Sequence, residues 1–205
     1  PIIYDAAHCF DVTVSDRSIT EFGAVSVIST HATKVFNSVE GGLICTQNSR
    51  IADKIKSMRN FGIQNQGNSF DCHGLNAKMS EIHAAYGVLN LAKVQEAILY
   101  RKRLQATYYR LITKAPLNNF LTAIISESQI KELNGSYMPV LVREDLSVPE
   151  IVNCCAKSGV ELRRYFFPLI CDKQEMQKYN TAMKFEYCGY VKGYNPGEKL
   201  VSIEQ

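Results

Sequence analysis

A lysine between small polar residues and a glycine pair is the strongest chemical feature of the chain. Lys34 lies in Ser29-Thr30-His31-Ala32-Thr33-Lys34, and Glu40-Gly41-Gly42 follows shortly after. The β-prone run Ala24 to Ile28 leads in, and Leu43-Ile44-Cys45-Thr46 leads out, so the pattern reads strand, turn, strand. An amine held between buried strands loses solvation. Burial favours its neutral form, which attacks carbonyls, so Lys34 is a Schiff-base candidate. The bland alternative is a solvated lysine beside a turn. Asp5 closes the apolar run Pro1 to Tyr4, at the strand end where open α/β sheets gather ligands. Taken alone, it reads more simply as a helix cap or turn aspartate.

Composition excludes several classes. The 205 residues are 46% hydrophobic and 21% charged, with a formal net charge of +3, an ordinary soluble make-up that allows a real core. No basic cluster is interleaved with aromatics, so nucleic acid is not indicated. No signal peptide or long apolar span is visible, so nothing points to secretion or a membrane. The seven cysteines lack metal-ligand spacing, and the adjacent pair Cys154-Cys155 is no CxxC, so reduced thiols and no metal site are expected. A Rossmann-like nucleotide module needs a glycine-rich loop after the first strand, and Asp5-Ala6-Ala7-His8 offers none.

The elements that must position the lysine follow from period and caps. Val12 to Gly23 reads as a loop or short hairpin. Asn48 to Asn60 reads as a helix capped by Asn48 or Ser49, with Ile51, Ile55 and Met58 on one face and Gly62 as its C′ residue. Residues 63 to 74 read as a long polar loop. Ser80 caps a helix whose face is Ile82, Ala85, Tyr86 and Leu89. Lys93 to Lys114 reads as a long amphipathic helix with Tyr100, Leu104, Tyr108 and Leu111 on one side. Ser136 to Val142 is a strand, Ser147 to Lys157 a helix with Pro149 and Glu150 in its first turn, and Val160 to Arg163 a strand.

Four motifs in one order carry a resemblance: Tyr4-Asp5-Ala6-Ala7-His8, the Ser29 to Gly42 window, Met58-Arg59-Asn60-Phe61-Gly62, and Gly74-Leu75-Asn76-Ala77-Lys78-Met79-Ser80-Glu81. Together they resemble the DegT/DnrJ/EryC1/StrS sugar aminotransferases, closely over about residues 1 to 112 and more weakly to Arg163-Arg164-Tyr165-Phe166. The resemblance fades after about Cys171. It implies an α/β fold-type I transferase dependent on pyridoxal 5′-phosphate (PLP), of aspartate aminotransferase type. Residues 1–95 would be the C-terminal part of the large PLP-binding domain. Residues 96–205 would hold a linking helix and a small α+β domain.

The resemblance also implies roles. Lys34 would hold PLP and shuttle a proton. Asp5 would face the pyridine nitrogen and keep it protonated. Ser29 would bind the phosphate. His8 stands where the family often has glutamine, near the ring oxygen. Asn76 would reach the phosphate of the other subunit of a homodimer with shared sites. The implied reaction moves an amino group from an amino acid, glutamate being the expected donor, to a nucleotide-linked keto-deoxysugar. That chemistry serves amino-sugar and surface-polysaccharide synthesis, such as lipopolysaccharide O-antigen, in the cytoplasm. A start at Pro1, inside a strand pattern, reads as one portion of a longer enzyme. The alternative expectation is an inactive remnant of such an enzyme, without a productive PLP site.

Overall fold

A computed structural model describes residues 1–64, 69–70, 72–164 and 200–203. The chain divides into two compact units, Pro1–Lys102 with Lys131–Ser136, and Arg103–Ile130 with Tyr137–Gln205.

The first unit is built on a three-stranded sheet. Strand β1 (Ile3–Asp5) pairs in parallel with β4 (Val25–Ser29), bringing Asp5 opposite Val27. β4 pairs antiparallel with β5 (Gly42–Cys45), with Ser29 opposite Gly42. Between β1 and β4, a small hairpin of β2 (Thr13–Val14) and β3 (Arg17–Ser18) runs into a single 3-10 turn closed by a Ser18–Glu21 capping box. The apolar start of β1 reads as covered on both faces, yet Ile3 is 68% exposed. Among the described residues β1 is the edge of its sheet, in the order β1-β4-β5, so its apolar character meets no second strand.

Helix α1 (Ser49–Met58) starts where Asn48 Oδ1 accepts the Ile51 N–H at 3.2 Å. Its end differs from expectation. Arg59 is the C-cap, and the reversal comes later, at Phe61 and Gly62, both at positive φ; the Gly62 N–H returns to the Ser57 carbonyl. A Cβ at Gly62 would run into the Cys72 carbonyl oxygen, so the position requires glycine. The stretch after it is not a plain loop. β6 (Ile63–Gln64) and β7 (Ser69–Phe70) form an antiparallel pair, with Ile63 opposite Phe70.

Helix α2 (Glu81–Leu91) is capped by Ser80, whose Oγ accepts the His83 N–H. Its inward face is His83, Ala84, Gly87 and Asn90, whereas Ile82, Tyr86 and Leu89 are exposed. This reverses the face read from hydrophobicity. The cause is Gly87, whose missing side chain lets the helix approach Ser38 closely: a Cβ there would sit 3.1 Å from Ser38 Cβ. Helix α3 (Val94–Ile112) buries a face that overlaps the expected one only in part, with Leu104 and Tyr108 half-buried. Val94, Ile98, Gln105 and Ile112 are buried, while Tyr100 and Leu111 are exposed. Gln105 belongs to the inner face because its amide donates to the Tyr137 carbonyl at 2.6 Å.

The second unit holds a four-stranded antiparallel sheet in the order β10-β11-β9-β8, formed by β8 (Leu121–Ala123), β9 (Met138–Val142), β10 (Leu162–Arg164) and β11 (Leu200–Ile203). Met138, Val140 and Val142 alternate inward and form the core with Ile112 and with Val148 of helix α5 (Val148–Lys157). Helix α4 (Glu127–Glu132) precedes β9 in the chain. Ser147 is the N-cap of α5, but its side chain makes no cap bond. The readings of Tyr165 to Pro168 and of the chain beyond Cys171 up to residue 199 lie outside the described residues.

Candidate functional site

The Lys34 segment leaves β4 at Ser29 and re-enters β5 at Gly42, and a buried clasp closes its base. Thr30 Oγ1 and Ser38 Oγ lie 2.8 Å apart, and both residues are almost fully buried. The Ser38 N–H donates to the Thr30 carbonyl, the Thr30 N–H to the Gly41 carbonyl, and the Ser38 hydroxyl to the Glu40 carbonyl. The seven residues between Thr30 and Ser38 are thereby tied neck to neck, with the polar groups of the neck satisfied internally. Gly41 sits at φ +147 against Thr30, Ser38 and Met79, leaving no room for a side chain.

Inside the loop, a tight turn donates the Lys34 N–H to the His31 carbonyl. The Thr33 N–H donates to His31 Nδ1 at 3.2 Å, so Nδ1 is the acceptor nitrogen and Nε2 carries the hydrogen. Nε2 faces Glu40 Oε1 at 3.5 Å, a second link across the loop. Phe36 anchors the far side. It is buried, stacks on Phe10 with ring centroids 4.4 Å apart, and packs on Val94 and Ile98 of α3. The Asn90 side chain donates to the Asn37 carbonyl at 3.0 Å.

Lys34 is half-buried, and its Nζ lies 3.3 Å from His8 Nε2 and 3.5 Å from Nδ1. The amine is nearly equidistant from both ring nitrogens, so neither lone pair alone holds it. Partial burial is the first cause that lowers the His8 pKa, the Lys34 charge is the second, and the Asp5 carboxylate opposes both. The ring therefore favours its neutral form. Burial raises the neighbouring Cys9 thiol, helped by Asp5, so that thiol stays protonated.

Asp5 stands at the carboxyl end of β1, where its Oδ1 accepts the Ala7 N–H at 3.1 Å and caps the turn that carries His8. Ser29 ends the adjacent β4, and its Oγ accepts the His31 N–H at 3.3 Å, which leaves the hydroxyl hydrogen to donate. Asp5, His8, Ser29 and Lys34 thus come from two paired parallel strands and the turns after them. Asn76 belongs elsewhere in the unit. It forms a β-bridge with Asn60 at the end of α1, and its Oδ1 accepts from Lys78 Nζ.

A cavity of about 650 Å³ is lined by Glu40, Ile44, Ile55, Arg59, Lys78 and His83, among others. Lys34 is not among its lining residues, although the Glu40–Gly42 end of the lysine loop is. Thr30, Ser38 and Phe36 escaped the sequence reading because their roles depend on packing partners. The only local signal was the small hydroxyl residues set on either side of the lysine.

The model of the DegT/DnrJ/EryC1/StrS aminotransferase family matches residues 1–187. A dTDP-4-amino-4,6-dideoxy-D-glucose transaminase of Shigella dysenteriae is 39% identical over 176 residues, which cover 84% of this chain and 46% of the relative. A transaminase of the same description from Escherichia coli is 30% identical over 173 residues, covering 82% of this chain and 45% of the relative. The chain spans about half the length of these curated relatives. In fold it is similar to Helicobacter pylori PseC, an aminotransferase involved in the biosynthesis of pseudoaminic acid, with a TM-score of 0.82 at 21% identity over 98% of this chain and 53% of that one. Both the fold-type I architecture and the order of the motifs around Lys34 have their explanation in this kinship: the chain belongs to the DegT/DnrJ/EryC1/StrS aminotransferase family.

Proposed function

We propose that the protein is a PLP-dependent aminotransferase that moves an amino group from an amino acid, glutamate by preference, to a nucleotide-linked keto-deoxysugar. The observation that carries this reading is the amine of Lys34 beside a neutral His8, at the carboxyl ends of two paired parallel strands. The side chains fit the cofactor by chemistry. Lys34 offers the amine, Asp5 a carboxylate for the pyridine nitrogen, and Ser29 a hydroxyl hydrogen for the phosphate. When bound, PLP supplies an aldehyde and an electron-withdrawing ring. The protein residues do the rest. Asp5 would hold a proton on the ring nitrogen. Lys34 Nζ would carry a proton to and from the reacting carbon. The neutral His8 ring packs beside Nζ and adds no second positive charge there.

Arg59 and Lys78, lining the cavity beside the Glu40–Gly42 turn, offer positive charge to a diphosphate-linked substrate. Asn76 serves the neighbouring subunit of a homodimer. The setting is cytoplasmic supply of amino sugars for surface polysaccharide, O-antigen included. Both curated relatives act on a dTDP-linked amino-dideoxy sugar by their descriptions, which supports this substrate class.

The test is covalent trapping. The chain, and a longer form with the remaining half of the relatives' length, is incubated with PLP and reduced with borohydride. Peptide mass spectrometry then looks for the cofactor on Lys34. Modification of Lys34 in either form, lost in Lys34→Ala, is the expected result. Failure of both forms to trap PLP on Lys34 overturns the reading.

A further inference from the structure

Residues 131–136 belong to the first unit although they are far from it in sequence. Three features lock them there. Lys102 Nζ donates to the Lys131 carbonyl at 2.7 Å. Gly135, at φ +77, lies so close to α3 that a Cβ would strike Arg101 Cβ and come within 3.1 Å of the Arg101 carbonyl carbon. Asn134 is 3% exposed and reaches across the chain to the turn that carries His8.

Every hydrogen-bonding group of the Asn134 amide is used. Nδ2 donates to the His8 carbonyl at 2.9 Å and to the Phe10 carbonyl at 2.7 Å. Oδ1 accepts the Ser136 N–H at 3.1 Å and faces the Ser136 hydroxyl at 2.6 Å. That hydroxyl also lies 3.3 Å from the His8 carbonyl, but its single hydrogen serves the shorter contact. The amide spans two carbonyls, two residues apart, on either side of Cys9. It therefore fixes the backbone on which the His8 ring is hinged, rather than the ring itself. The same turn is fixed from the other direction by Asp5 Oδ1 on the Ala7 N–H and by the Cys9 N–H on the Ala6 carbonyl.

We infer that Asn134 is a positioning residue for the lysine site: by clamping the His8 and Phe10 carbonyls it holds the His8 ring against Lys34 Nζ. The inference deepens the proposed function, on which its catalytic meaning rests. The geometry it describes is independent of any cofactor. Lys34 and Asp5 are charged groups that face His8. A ring that moves away from Lys34 and towards solvent loses both causes that depress its pKa.

The experiment reads His8 directly in the complete, unloaded chain by NMR titration of labelled histidine, with His8→Gln to assign the signal. In the unsubstituted chain the His8 midpoint lies below the ordinary value of about 6.5 and the ring shows a nuclear Overhauser contact to the Lys34 side chain. In Asn134→Asp the size is kept but the donors are lost, and in Ser136→Ala only the support of Oδ1 is lost. The expected result is a midpoint that returns to about 6.5 in Asn134→Asp, with loss of the Lys34 contact. Ser136→Ala gives a smaller change of the same sign. Ser136→Ala also carries the test if Asn134→Asp does not fold. A lowered melting temperature with an unchanged His8 midpoint and an intact Lys34 contact overturns the inference, because Asn134 is then only structural. Because no cofactor is present, this outcome is separate from failure of the borohydride test.

Discussion

Replacing Gly41 by alanine tests the closure of the lysine loop. Two costs add. The backbone at φ +147 lies in a region that residues with a Cβ rarely adopt, and holding one there costs about 1–3 kcal/mol. The new methyl would also meet Met79 Cε, with Thr30 Oγ1 at 2.7 Å and Ser38 Oγ at 3.0 Å. Met79 can swing aside, because its methyl is the end of a flexible chain. Thr30 and Ser38 cannot do so without breaking their own 2.8 Å hydrogen bond, and overpacking of this kind costs about 1–3 kcal/mol. The expected loss is about 3 kcal/mol, or about 6–12 °C in melting temperature for a chain of this length. Urea unfolding measures it, and Gly41→Ala combined with Met79→Ala separates the contributions. The double variant regains only what the Met79 methyl imposes. A loss below about 0.5 kcal/mol in the single variant would refute the argument that the loop neck is closed to a side chain.

Phe36→Ala removes a ring stacked on Phe10 and packed on α3, and a loss of about 3–5 kcal/mol by urea unfolding is expected. Asn48→Ala deletes the cap bond to Ile51 and costs about 1 kcal/mol, seen as earlier hydrogen exchange in the first turn of α1. His8 binds a proton more weakly folded than unfolded, so its contribution to stability is complete above about pH 6.5 and is lost as the pH falls below that value towards the depressed folded pKa. Unfolding midpoints compared at about pH 7.5 and about pH 5.5 should fall less in His8→Gln than in the parent chain; an equal fall in both removes His8 as the source.

Local signals are legible where the chain satisfies its own polar groups locally. Asn48 and Ser80 cap the helices that their sequence positions announce, because an N-cap bond spans only three residues. Strands β4 and β5 stand where the apolar runs flank the lysine. Burial is less legible in the sequence. The apolar stripe of α2 points outward because Gly87, a residue without hydrophobicity to signal, makes the close contact. Gln105 hides on the inner face of α3, where its Nε2 donates to the Tyr137 carbonyl beside β9, a partner that no helical period reveals, while its Oε1 has no hydrogen-bond partner among the described residues. The pairing of Ile63 with Phe70 was obscured by the polar residues between them. Asp5, His8, Ser29 and Lys34 stood out through motif order. Asn134 carried no local mark beyond an ordinary Asn-Gly turn signature, since its partners lie 124 and 126 residues away.

The neck formed by Thr30, Ser38 and Gly41, together with the Phe36 anchor, leaves the backbone around Lys34 little freedom to breathe. Whatever excursion the amine makes is then that of a butylamine arm on a fixed pivot. Its reach is set by rotations about carbon–carbon bonds, on the timescale of side-chain rotamers rather than of loop opening. A lysine mounted this way can leave one position and return to it many times while the loop backbone stays still.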